Sequence, residues 1–444
     1  MEQADTSYIL TQAKDHNVKF IRLWFTDILG FLKSFAIVVD ELEEALNEGI
    51  GFDGSSIEGF ARIDESDMFA MPDPETFQIL PWRPQEEHAV ARMFCDIRYP
   101  DGRPYEGDPR WILKSSLTRA YELGYTFYVG PEIEYFYFKR DETPPVGLDK
   151  GGYFDLTPLD VASDLRRDTV MTLEQVGIEV EYSHHEGAPS QHEIDLRYTD
   201  ALTMADYIMT TRLVVKEIAA KHGLYASFMP KPFTEYNGSG MHTHMSLFRG
   251  ERNVFFNPEN PQTISKIAEQ FVAGLLRHAP EFTLITNQWV NSYKRLTPGF
   301  EAPTYIAWAY RNRAHLLRVP AIKPGRESST RIELRSPDVA CNPYLMFAVL
   351  LSAGLEGIEK GYEPVPPVEG SPEQMTEEER AKYGVTQLPT DLHQAILYAS
   401  RSALVRQTLG EHVFEKLLQN KRIEWQRFMS HVTHYEWERY LPML

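Results

Sequence analysis

The sequence predicts an α+β protein that consists of a small N-terminal β unit and a much larger second domain. Two observations predict this division. Residues 18–39 form two β-rich runs separated by a turn near Asp27–Gly30, and Gly, Pro and Asp residues then cluster at 99–109. Beyond that cluster, strand and helix patterns alternate to the end of the 444-residue chain. We therefore expect domains at residues 1–104 and 105–444.

Three further patterns complete the first unit. A helix is expected to begin at Asp40, because Asp40 and Glu43 have the spacing of a capping box. Residues 53–84 are rich in Gly, Ser, Asp and Pro, which predicts a loop. The apolar run at residues 91–99 predicts another strand.

The second domain begins with the clearest helix signals in the chain. Asp108 is a suitable N-cap, Pro109 suits the first helical position and Gly124 ends the helix. The Pro- and Glu-rich residues 363–388 predict an exposed connection. The other predicted elements are strands at 125–138, 178–186, 224–230 and 241–248, and helices at 163–177, 201–223, 264–279, 343–360, 390–408 and 411–430.

The charge balance argues against two classes of partner. The chain has 45 basic and 64 acidic residues, a net charge of −19, which disfavours nucleic acid and anionic membranes. No apolar run reaches the ~20 residues of a membrane span, and the first residues lack a signal-peptide pattern. Cys95 and Cys341 are too few for a disulfide framework or a zinc cluster. We expect a cytoplasmic protein.

Two glutamates are the first sign of chemistry. Glu132 and Glu134 alternate within an aromatic strand, so their carboxylates project from one face. An exposed polar face would give the same pattern. However, two neighbouring carboxylates repel each other unless positive charge lies nearby.

The stretch NGSGMHTHMS, residues 237–246, places His242 and His244 directly behind a Gly-Ser-Gly turn. The spacing alone is compatible with metal ligands, a phosphate-binding loop or two polar positions on an ordinary strand. Glu186 and Glu193 flank a separate Gly-Ala-Pro turn. Several glutamates with one such histidine would form an oxygen-rich site, which favours Mg²⁺ or Mn²⁺ over structural zinc.

Arginines accompany these acids. Arg331, Glu333 and Arg335 alternate on one predicted strand, a pattern that a self-neutralising surface would also give. Further arginines precede this strand at positions 295, 313 and 318. So many arginines around placed glutamates indicate a triphosphate and a carboxylate substrate with metal between them.

Seven motifs together resemble those of type I glutamine synthetases. They occur in the order typical of that family and cover essentially the whole chain. The resemblance implies a β-grasp-like N-terminal domain and a C-terminal catalytic domain with a curved antiparallel sheet flanked by helices. The motifs are FDGSSIEGF (52–60), GPEIEYF (130–136), SHHEGAPSQHEID (183–195), FMPKPFTEYNGSGMHTH (228–244), NSYKRLTPGFEAP (291–303), RNR (311–313) and STRIELRSPD (329–338).

The resemblance also implies binding roles. At least two divalent cations, Mg²⁺ or Mn²⁺, would be bound, one by Glu134, Glu186 and Glu193 and the other by Glu132, His242 and Glu333. The co-substrate ATP would contact Glu181, Tyr198, His244, Ser246, Arg313 and Arg318. L-Glutamate would be bound by Asn237, Gly238, Arg295 and Arg335, with Ser56 contributed by a neighbouring subunit.

Catalytic roles follow from the same resemblance. Asp53 of an adjacent subunit would bind ammonium and favour loss of its proton. Glu301 would lie on a flap that closes over the site and excludes water, and Arg313 would neutralise the transferring phosphoryl group. Arg62 matches an arginine implicated in feedback inhibition. Sites shared between subunits imply a homo-oligomer, in this family a dodecamer of two hexameric rings.

The implied reaction is the ATP-dependent ligation of ammonia to the γ-carboxylate of L-glutamate through γ-glutamyl phosphate, which yields glutamine, ADP and phosphate and serves nitrogen metabolism. One alternative is a γ-glutamylpolyamine or other γ-glutamylamine synthetase, and a second is a non-catalytic structural or regulatory relative. Asp53, Ser56 and Asn237 favour ammonia. The presence of all six metal-ligand residues disfavours a non-catalytic relative.

Three segments depart from the family pattern. Residues 320–333 are longer than in the common α-type enzyme, which affects the nucleotide-side loop that contains Lys323 and Arg326. Residues 233–240, FTEYNGSG, differ from the usual sequence beside glutamate and the amine. Tyr383 lies in AKYG rather than in the Asn-x-Tyr context of an adenylylated tyrosine, so that control is not expected.

Overall fold

A computed structural model describes residues 6–59, 67–83, 88–322 and 324–444. Two residues named in the sequence analysis lie outside the described residues. They are Arg62, which matches an arginine implicated in feedback inhibition, and Lys323, in the longer nucleotide-side loop. Both main sheets are built mostly from antiparallel strand pairs with helices packed against them, which confirms the α+β prediction. The division predicted between residues 104 and 105 falls in the segment that joins the last strand of the first sheet to the next helix.

The N-terminal part is a mixed sheet with two helices on it. Its described strands are ordered β2-β1-β6-β4-β3, with β5 beside β6, and β1 and β6 are parallel. The helices are α1 (Thr6–Asp15) and α2 (Leu42–Glu48). The strands are β1 (Val18–Thr26), β2 (Leu32–Val38), β3 (Ile50–Asp53), β4 (Asp67–Pro72), β5 (Gln78–Ile79) and β6 (Ala89–Arg98).

The second part is built on a larger sheet ordered β15-β16-β17-β12-β7-β9-β8. Strands β10 and β11 pair with β7, strand β13 pairs with β12, and a separate small sheet joins β14 to β18. Within the described residues these pairs are antiparallel except β15 with β16. The strands are β7 (Thr126–Phe138), β8 (Val180–His185), β9 (Gln191–Leu196), β10 (Thr199–Asp200), β11 (Tyr225–Ser227), β12 (Thr243–Arg249), β13 (Arg252–Asn253), β14 (Tyr305–Ile306), β15 (Trp308–Tyr310), β16 (Leu317–Val319), β17 (Ile332–Leu334) and β18 (Thr386–Gln387).

Helices α3, α5, α6 and α11 of the second part pack around α8, which is apolar on nearly all sides. Helix α6 approaches it closely, since a Cβ on Gly274 would lie 2.1 Å from the Ala353 carbonyl oxygen. No described helix combines the length and the apolar character that a bilayer span requires. The helices are α3 (Pro109–Glu122), α4 (Ser163–Gln175), α5 (Ala201–Lys221), α6 (Lys266–Thr286), α7 (Ser292–Arg295), α8 (Pro343–Glu359), α9 (Glu377–Lys382), α10 (Leu392–Ser400), α11 (Ala403–Ser430) and α12 (His434–Tyr440).

Two predictions for the first unit were wrong. Asp40 lies inside a 3₁₀ turn, Val39–Glu41, that precedes α2, and the N-cap residue Glu41 makes no side-chain capping bond. Residues 53–84 are not simply a loop, because β4 lies within them. Its alternating residues Met68 and Ala70 are buried, and this pattern is too short to stand out among the surrounding polar residues.

Two predictions for the second domain also need correction. Residues 363–388 are not merely an exposed connection, since they contain α9 and bury Val368 and Val385 against Ala307. The helix predicted at 390–408 ends at Ser400, because the Ser402 side chain accepts from the backbone N–H of Val405 and caps α11.

A buried arginine joins the two parts of the protein. The Arg110 guanidinium on α3 lies 2.8 Å from Asp73 and 2.5 Å from Asp96, both of the N-terminal part, and 3.0 Å from Asp206 on α5. Burial disfavours its charge, but the surrounding carboxylates outweigh burial and raise the pKa of Arg110 well above its ordinary value. Its charge therefore compensates carboxylates on both sides of the junction.

We expect Arg110→Met to lower the free energy of unfolding by about 3–5 kcal/mol, because it leaves buried carboxylates without their main partner. Denaturant unfolding measures this loss. Arg103→Met is the matched control, since Arg103 pairs with Asp101 on the exposed surface, and its unfolding midpoint should stay unchanged. Equal midpoints for both variants would contradict the role of Arg110 at the junction.

Candidate functional site

Strand register brings acids from distant segments together in the larger sheet. Glu134 on β7 is paired with Glu193 on β9, and His244 on β12 is paired with Glu333 on β17. Like charges placed directly across a strand pair are destabilising without compensation. Positive charge in the middle of the sheet is therefore needed to stabilise the carboxylates that the register brings together.

All six predicted metal ligands line one cavity of about 470 Å³. Ligand atoms of Glu132, His242 and Glu333 lie within 4.8 Å of one another. These are the three residues that the resemblance grouped around one cation. The second predicted group differs in one member, because His184 rather than Glu134 clusters with Glu186 and Glu193. The cavity is lined by Glu132, Glu134, Glu186, Glu193, His242 and Glu333, among other residues.

Two of these carboxyl groups are kept ionised by hydrogen bonds and by nearby charge. Burial opposes ionisation of Glu132, but hydrogen bonds of 2.8 Å from His242 Nδ1 and from His244 Nε2 hold its pKa well below the usual range. Burial likewise opposes ionisation of Glu333, but nearby charge, including Arg335, lowers its pKa to about 2. Both groups are therefore anionic at neutral pH.

At other carboxyl groups of the site, burial and neighbouring carboxylates favour the protonated form. Burial, followed by the charge of Asp195 and Glu134, raises the pKa of Glu193 well above its ordinary value. Burial and the charge of Glu132 raise the pKa of Asp195 to about 7. Burial also raises the pKa of Glu134, which accepts from the Gly240 N–H at 2.8 Å. Positive charge bound nearby would favour the ionised forms of Glu134, Glu193 and Asp195.

The donor set fits a hard divalent cation. Carboxylate oxygens dominate it, with one well-placed imidazole, a combination that suits Mg²⁺ or Mn²⁺ better than structural zinc. His242 Nε2 is buried and has no hydrogen-bond partner among the described residues, while its Nδ1 is held by Glu132. This arrangement leaves one ring nitrogen to bind metal and fixes the ring through the other.

A second cavity of about 350 Å³ adjoins the first. Four of the residues predicted to contact ATP line it, whereas Arg313 and Arg318 line the first cavity. Glu132 and Tyr182 line both cavities and form their common wall. The four predicted nucleotide contacts in the second cavity are Glu181, Tyr198, His244 and Ser246.

The Gly-Ser-Gly turn before His242 is required by close packing. A Cβ on Gly238 would lie 2.2 Å from the Pro230 carbonyl oxygen, and one on Gly240 would lie 2.4 Å from Arg295 Nη2. Arg295 is fully buried and donates to the backbone carbonyls of Ser336 (2.6 Å) and Arg335 (3.1 Å). The turn thus fixes strand β12 and lets the guanidinium reach the floor of the cavity.

Most of the residues predicted to bind L-glutamate line the first cavity, and so does the predicted flap residue Glu301. Asn237, Gly238 and Arg335 line it, together with Glu301 and Arg313. The backbone N–H of Glu301 lies 3.4 Å from Asn237 Oδ1. Arg295 supports the cavity from beneath rather than lining it.

Asp53 and Ser56 do not lie at these cavities. They are at the end of β3 and in the 3₁₀ turn that follows it, and among the described residues neither lines either cavity. The Asp53 carboxylate accepts from the Ser55 N–H at 3.0 Å and from the Ser55 hydroxyl at 2.9 Å. Both side chains are therefore presented by the N-terminal part, away from the cavities of the same chain.

The structure adds residues to which the sequence gave no individual role at the site. His184 Nε2 donates to Glu186 at 3.0 Å, and the Arg313 guanidinium is hydrogen-bonded to Tyr153, which raises the Arg313 pKa. Arg331 Nε donates to His244 Nδ1 at 3.1 Å and lines the second cavity. The sequence signals for His184 were its position two residues before Glu186 and its place in the motif at 183–195.

A third cluster, of Asp149, His185 and His192, supports the strands next to the predicted metal ligands. His185 donates from Nδ1 to the Glu186 carbonyl at 2.7 Å and from Nε2 to Asp149 at 3.0 Å, so its ring carries both protons. Burial works against that charge, but these bonds raise the His185 pKa. Arg166 donates to His192 Nδ1 at 2.8 Å, which leaves the proton on Nε2 of His192. The cluster therefore anchors the strand ends that bear Glu186 and Glu193 and offers no free pair of imidazole nitrogens.

Comparisons with known proteins agree along the chain. Residues 17–100 match the family model described as the glutamine synthetase β-grasp domain, and residues 106–440 match that of the glutamine synthetase catalytic domain. The glutamine synthetase of Mycolicibacterium smegmatis is 55% identical over 440 residues, which cover 98% of this chain and 99% of that protein. The glutamine synthetase of Methanosarcina mazei is 51% identical over 439 residues, with 98% and 97% covered.

Solved structures give the same result. The GmaS/ADP complex in its first conformation has a TM-score of 0.89 at 30% identity and covers 99% of this chain and 100% of its own. The cryo-electron microscopy structure of Plasmodium falciparum glutamine synthetase has a TM-score of 0.89 at 25% identity, with 99% of both chains covered. The similarity includes the sheet on which both cavities are built.

We expect Mn²⁺ binding to the chelator-treated protein to release protons, because burial and neighbouring carboxylates raise the pKa of Glu193, a predicted metal ligand, and of Asp195. A carboxyl with a raised pKa is protonated below that pKa, so affinity should increase as pH rises from 6 to 8, by up to about tenfold per pH unit for each proton displaced. Calorimetry in buffers of different ionisation enthalpy measures the release. Glu193→Gln should reduce it, whereas Glu259→Gln, at an exposed position, should not. A binding enthalpy independent of the buffer would contradict this.

Proposed function

The chain belongs to the glutamine synthetase family, and we propose from that premise that its two adjoining cavities ligate ammonia to the γ-carboxylate of L-glutamate at the expense of ATP. The protein is an ATP-dependent carboxylate–amine ligase that forms glutamine, ADP and phosphate through γ-glutamyl phosphate. A carboxylate is a poor electrophile, which is why the reaction requires activation by phosphoryl transfer.

The common wall of the two cavities is the observation that supports this proposal most directly. ATP would occupy the cavity lined by Tyr198 and Ser246, and glutamate the cavity lined by Asn237 and Gly238. Glu132, in the wall between them, lies where the γ-phosphate would meet the γ-carboxylate. The GmaS/ADP complex, which has the same fold, binds a nucleotide and supports this assignment.

The divalent cations of this family fit the acidic side chains of the first cavity, and we propose Mg²⁺ or Mn²⁺. One would be held by Glu132, His242 and Glu333, and the other by Glu186 and Glu193 with Glu134 alongside. When bound, the cations neutralise charge on the transferring phosphoryl group. His184, within 3.0 Å of Glu186, joins the second group in our proposal.

Arginines would stabilise the remaining negative charge. Arg318 and Arg335 both form ion pairs with Glu333, which holds their guanidinium groups at the cavity. Arg313 lies at the same cavity on a different loop. We propose that Arg313 and Arg318 contact the phosphates and that Arg335 contacts glutamate, with Arg295 supporting the turn at Asn237. Rigid, prepositioned charges of this kind stabilise a developing transition-state charge without reorganisation.

The amine site would be completed by a neighbouring subunit. Asp53 and Ser56 project from the N-terminal part, and we propose that they reach the cavity of an adjacent copy in a homo-oligomer, a dodecamer by analogy with the family. Asp53 would bind ammonium and accept its proton, which frees the nitrogen lone pair for attack. Glu301, on the flap, would close the cavity against water.

Regulation and location complete the proposal. We propose that the enzyme acts in the cytoplasm and that Arg62 mediates feedback inhibition without adenylylation of Tyr383. The γ-glutamylpolyamine alternative is not favoured, because the relatives at 50–55% identity over nearly full length are glutamine synthetases. A non-catalytic relative is not favoured either, since the six acidic and histidine ligands line one cavity.

With glutamate, ATP and Mg²⁺, we expect phosphate release to depend on ammonium or hydroxylamine and to be unaffected by putrescine or spermine. A small amine fits a site completed by Asp53 and Ser56, whereas a polyamine requires an extended groove. Coupled measurement of glutamine and phosphate tests this. Phosphate release with a polyamine and none with ammonium would overturn the proposed substrate.

Asp53→Ala and Glu333→Ala should each abolish glutamine formation, but a mixture dissociated and reassembled together should recover activity. A site is intact when its cavity comes from an Asp53→Ala subunit and its N-terminal part comes from a Glu333→Ala subunit. After random assembly at equal amounts, about a quarter of the sites have this composition. Reassembly of each variant alone is the control. Absence of recovery in a verified mixed oligomer would contradict the shared site.

A further inference from the structure

Lys231 lies in the segment between β11 and the Gly-Ser-Gly turn, and its backbone is firmly held. Its N–H donates to Asn291 Oδ1 at 2.7 Å, and Asn291 Nδ2 donates back to the Lys231 carbonyl at 3.0 Å. Asn291 directly precedes α7, the helix that contains Arg295. The side chain of Lys231 is buried, with 6% exposed. A charged group so placed needs specific compensation.

The ammonium of Lys231 is compensated from two sides. Its Nζ donates to the Tyr236 carbonyl, and it lies 3.2 Å from the centroid of the Phe300 ring. Cation–π contacts of this kind are strongest when the cation is desolvated. Burial lowers the pKa of Lys231 to about 8, and Glu235 is the charged group that opposes this shift.

These two contacts join two chain segments that both line the first cavity. Tyr236 directly precedes Asn237, and Phe300 directly precedes Glu301. Asn237 and Glu301 are themselves adjacent, with 3.4 Å between Asn237 Oδ1 and the Glu301 nitrogen. Lys231 therefore contacts both chain segments next to the point where Asn237 meets Glu301.

We propose that Lys231 is a positioning residue that latches the flap, residues 297–303, by holding the Phe300 ring, and so sets Glu301 beside Asn237. The inference rests on the proposed function. In the closed site, ammonia nitrogen attacks the γ-carbonyl carbon of γ-glutamyl phosphate, the bond from that carbon to the phosphate oxygen breaks, and the departing phosphate takes up the proton that the nitrogen loses. In a loosely closed site, water attacks the same carbon and returns glutamate and phosphate.

The latch therefore governs how γ-glutamyl phosphate divides between ammonia and water. Lys231→Met keeps the apolar stem and removes the charge, whereas Phe300→Leu keeps an apolar side chain and removes the ring face. In both variants we expect at least a severalfold fall in the ratio of glutamine formed to phosphate released, from a wild-type ratio near one. The double variant should be no worse than the more impaired single variant, because both changes remove one contact.

Two further variants make the test specific. Lys231→Arg retains a cation beside Phe300 and should recover most of the ratio. Lys360→Met is the control, because Lys360 is an exposed cation 6.0 Å from the Tyr362 ring and far along the chain from the flap, and its ratio should match wild type. Glutamine and phosphate are measured in the same reaction, and oligomer size is verified for every variant.

The outcomes separate this inference from the proposed function. Wild-type protein that forms no glutamine would refute the proposed function. Wild-type protein that forms glutamine while Lys231→Met and Phe300→Leu keep a ratio of one would refute the latch, even if their kcat fell. If Lys231→Met fails to assemble, the ratio of glutamine to phosphate in Phe300→Leu, which changes a half-buried flap residue, tests the latch by itself.

Discussion

Repulsion among buried carboxylates in the middle of the larger sheet is the constraint on which the site depends. The pairing of Glu134 with Glu193 follows from the register of β7 and β9, and no rearrangement of side chains alone removes it. Each carboxyl is instead compensated differently: Glu132 by two histidines, Glu333 by two arginines, and Glu193 by a raised pKa that favours its protonated form. A divalent cation would replace the proton, so the cavity has a built-in preference for positive charge.

The same constraint explains why the surroundings are rigid. Strands β8 and β9 end beside the acids, and the bonds from His185 to Asp149 and from Arg166 to His192 hold those ends together. In NGSGMHTHMS, the two histidines turn out to share one acceptor, Glu132, through different ring nitrogens. They face different cavities from that common point, so the alternatives of metal site and phosphate contact are compatible.

Local patterns predicted local structure well. Asp108 caps α3 as expected, and β7 was evident from its long aromatic run. Long-range pairing was beyond the sequence: nothing local to Asp149 indicates that it meets His185, and β4 is hidden among polar residues. The acids of the site could be identified from their alternation and from resemblance, but their compensation could not, because the compensating groups come from other strands.

A rigid sheet positions charge but cannot both admit glutamate and exclude water. Admission therefore has to be handled by a separate segment, and residues 297–303 have the properties required. Thr297, Pro298 and Gly299 are exposed, and Gly299 has a φ of +89°, a conformation that favours glycine at a hinge. The adjoining Phe300 is anchored on a lysine whose backbone is fixed to the helix that contains Arg295. If Lys231 latches the loop as we propose, closure of the loop and alignment of the turn at Asn237 depend on one buried charge, which couples water exclusion to the geometry needed for attack by the amine.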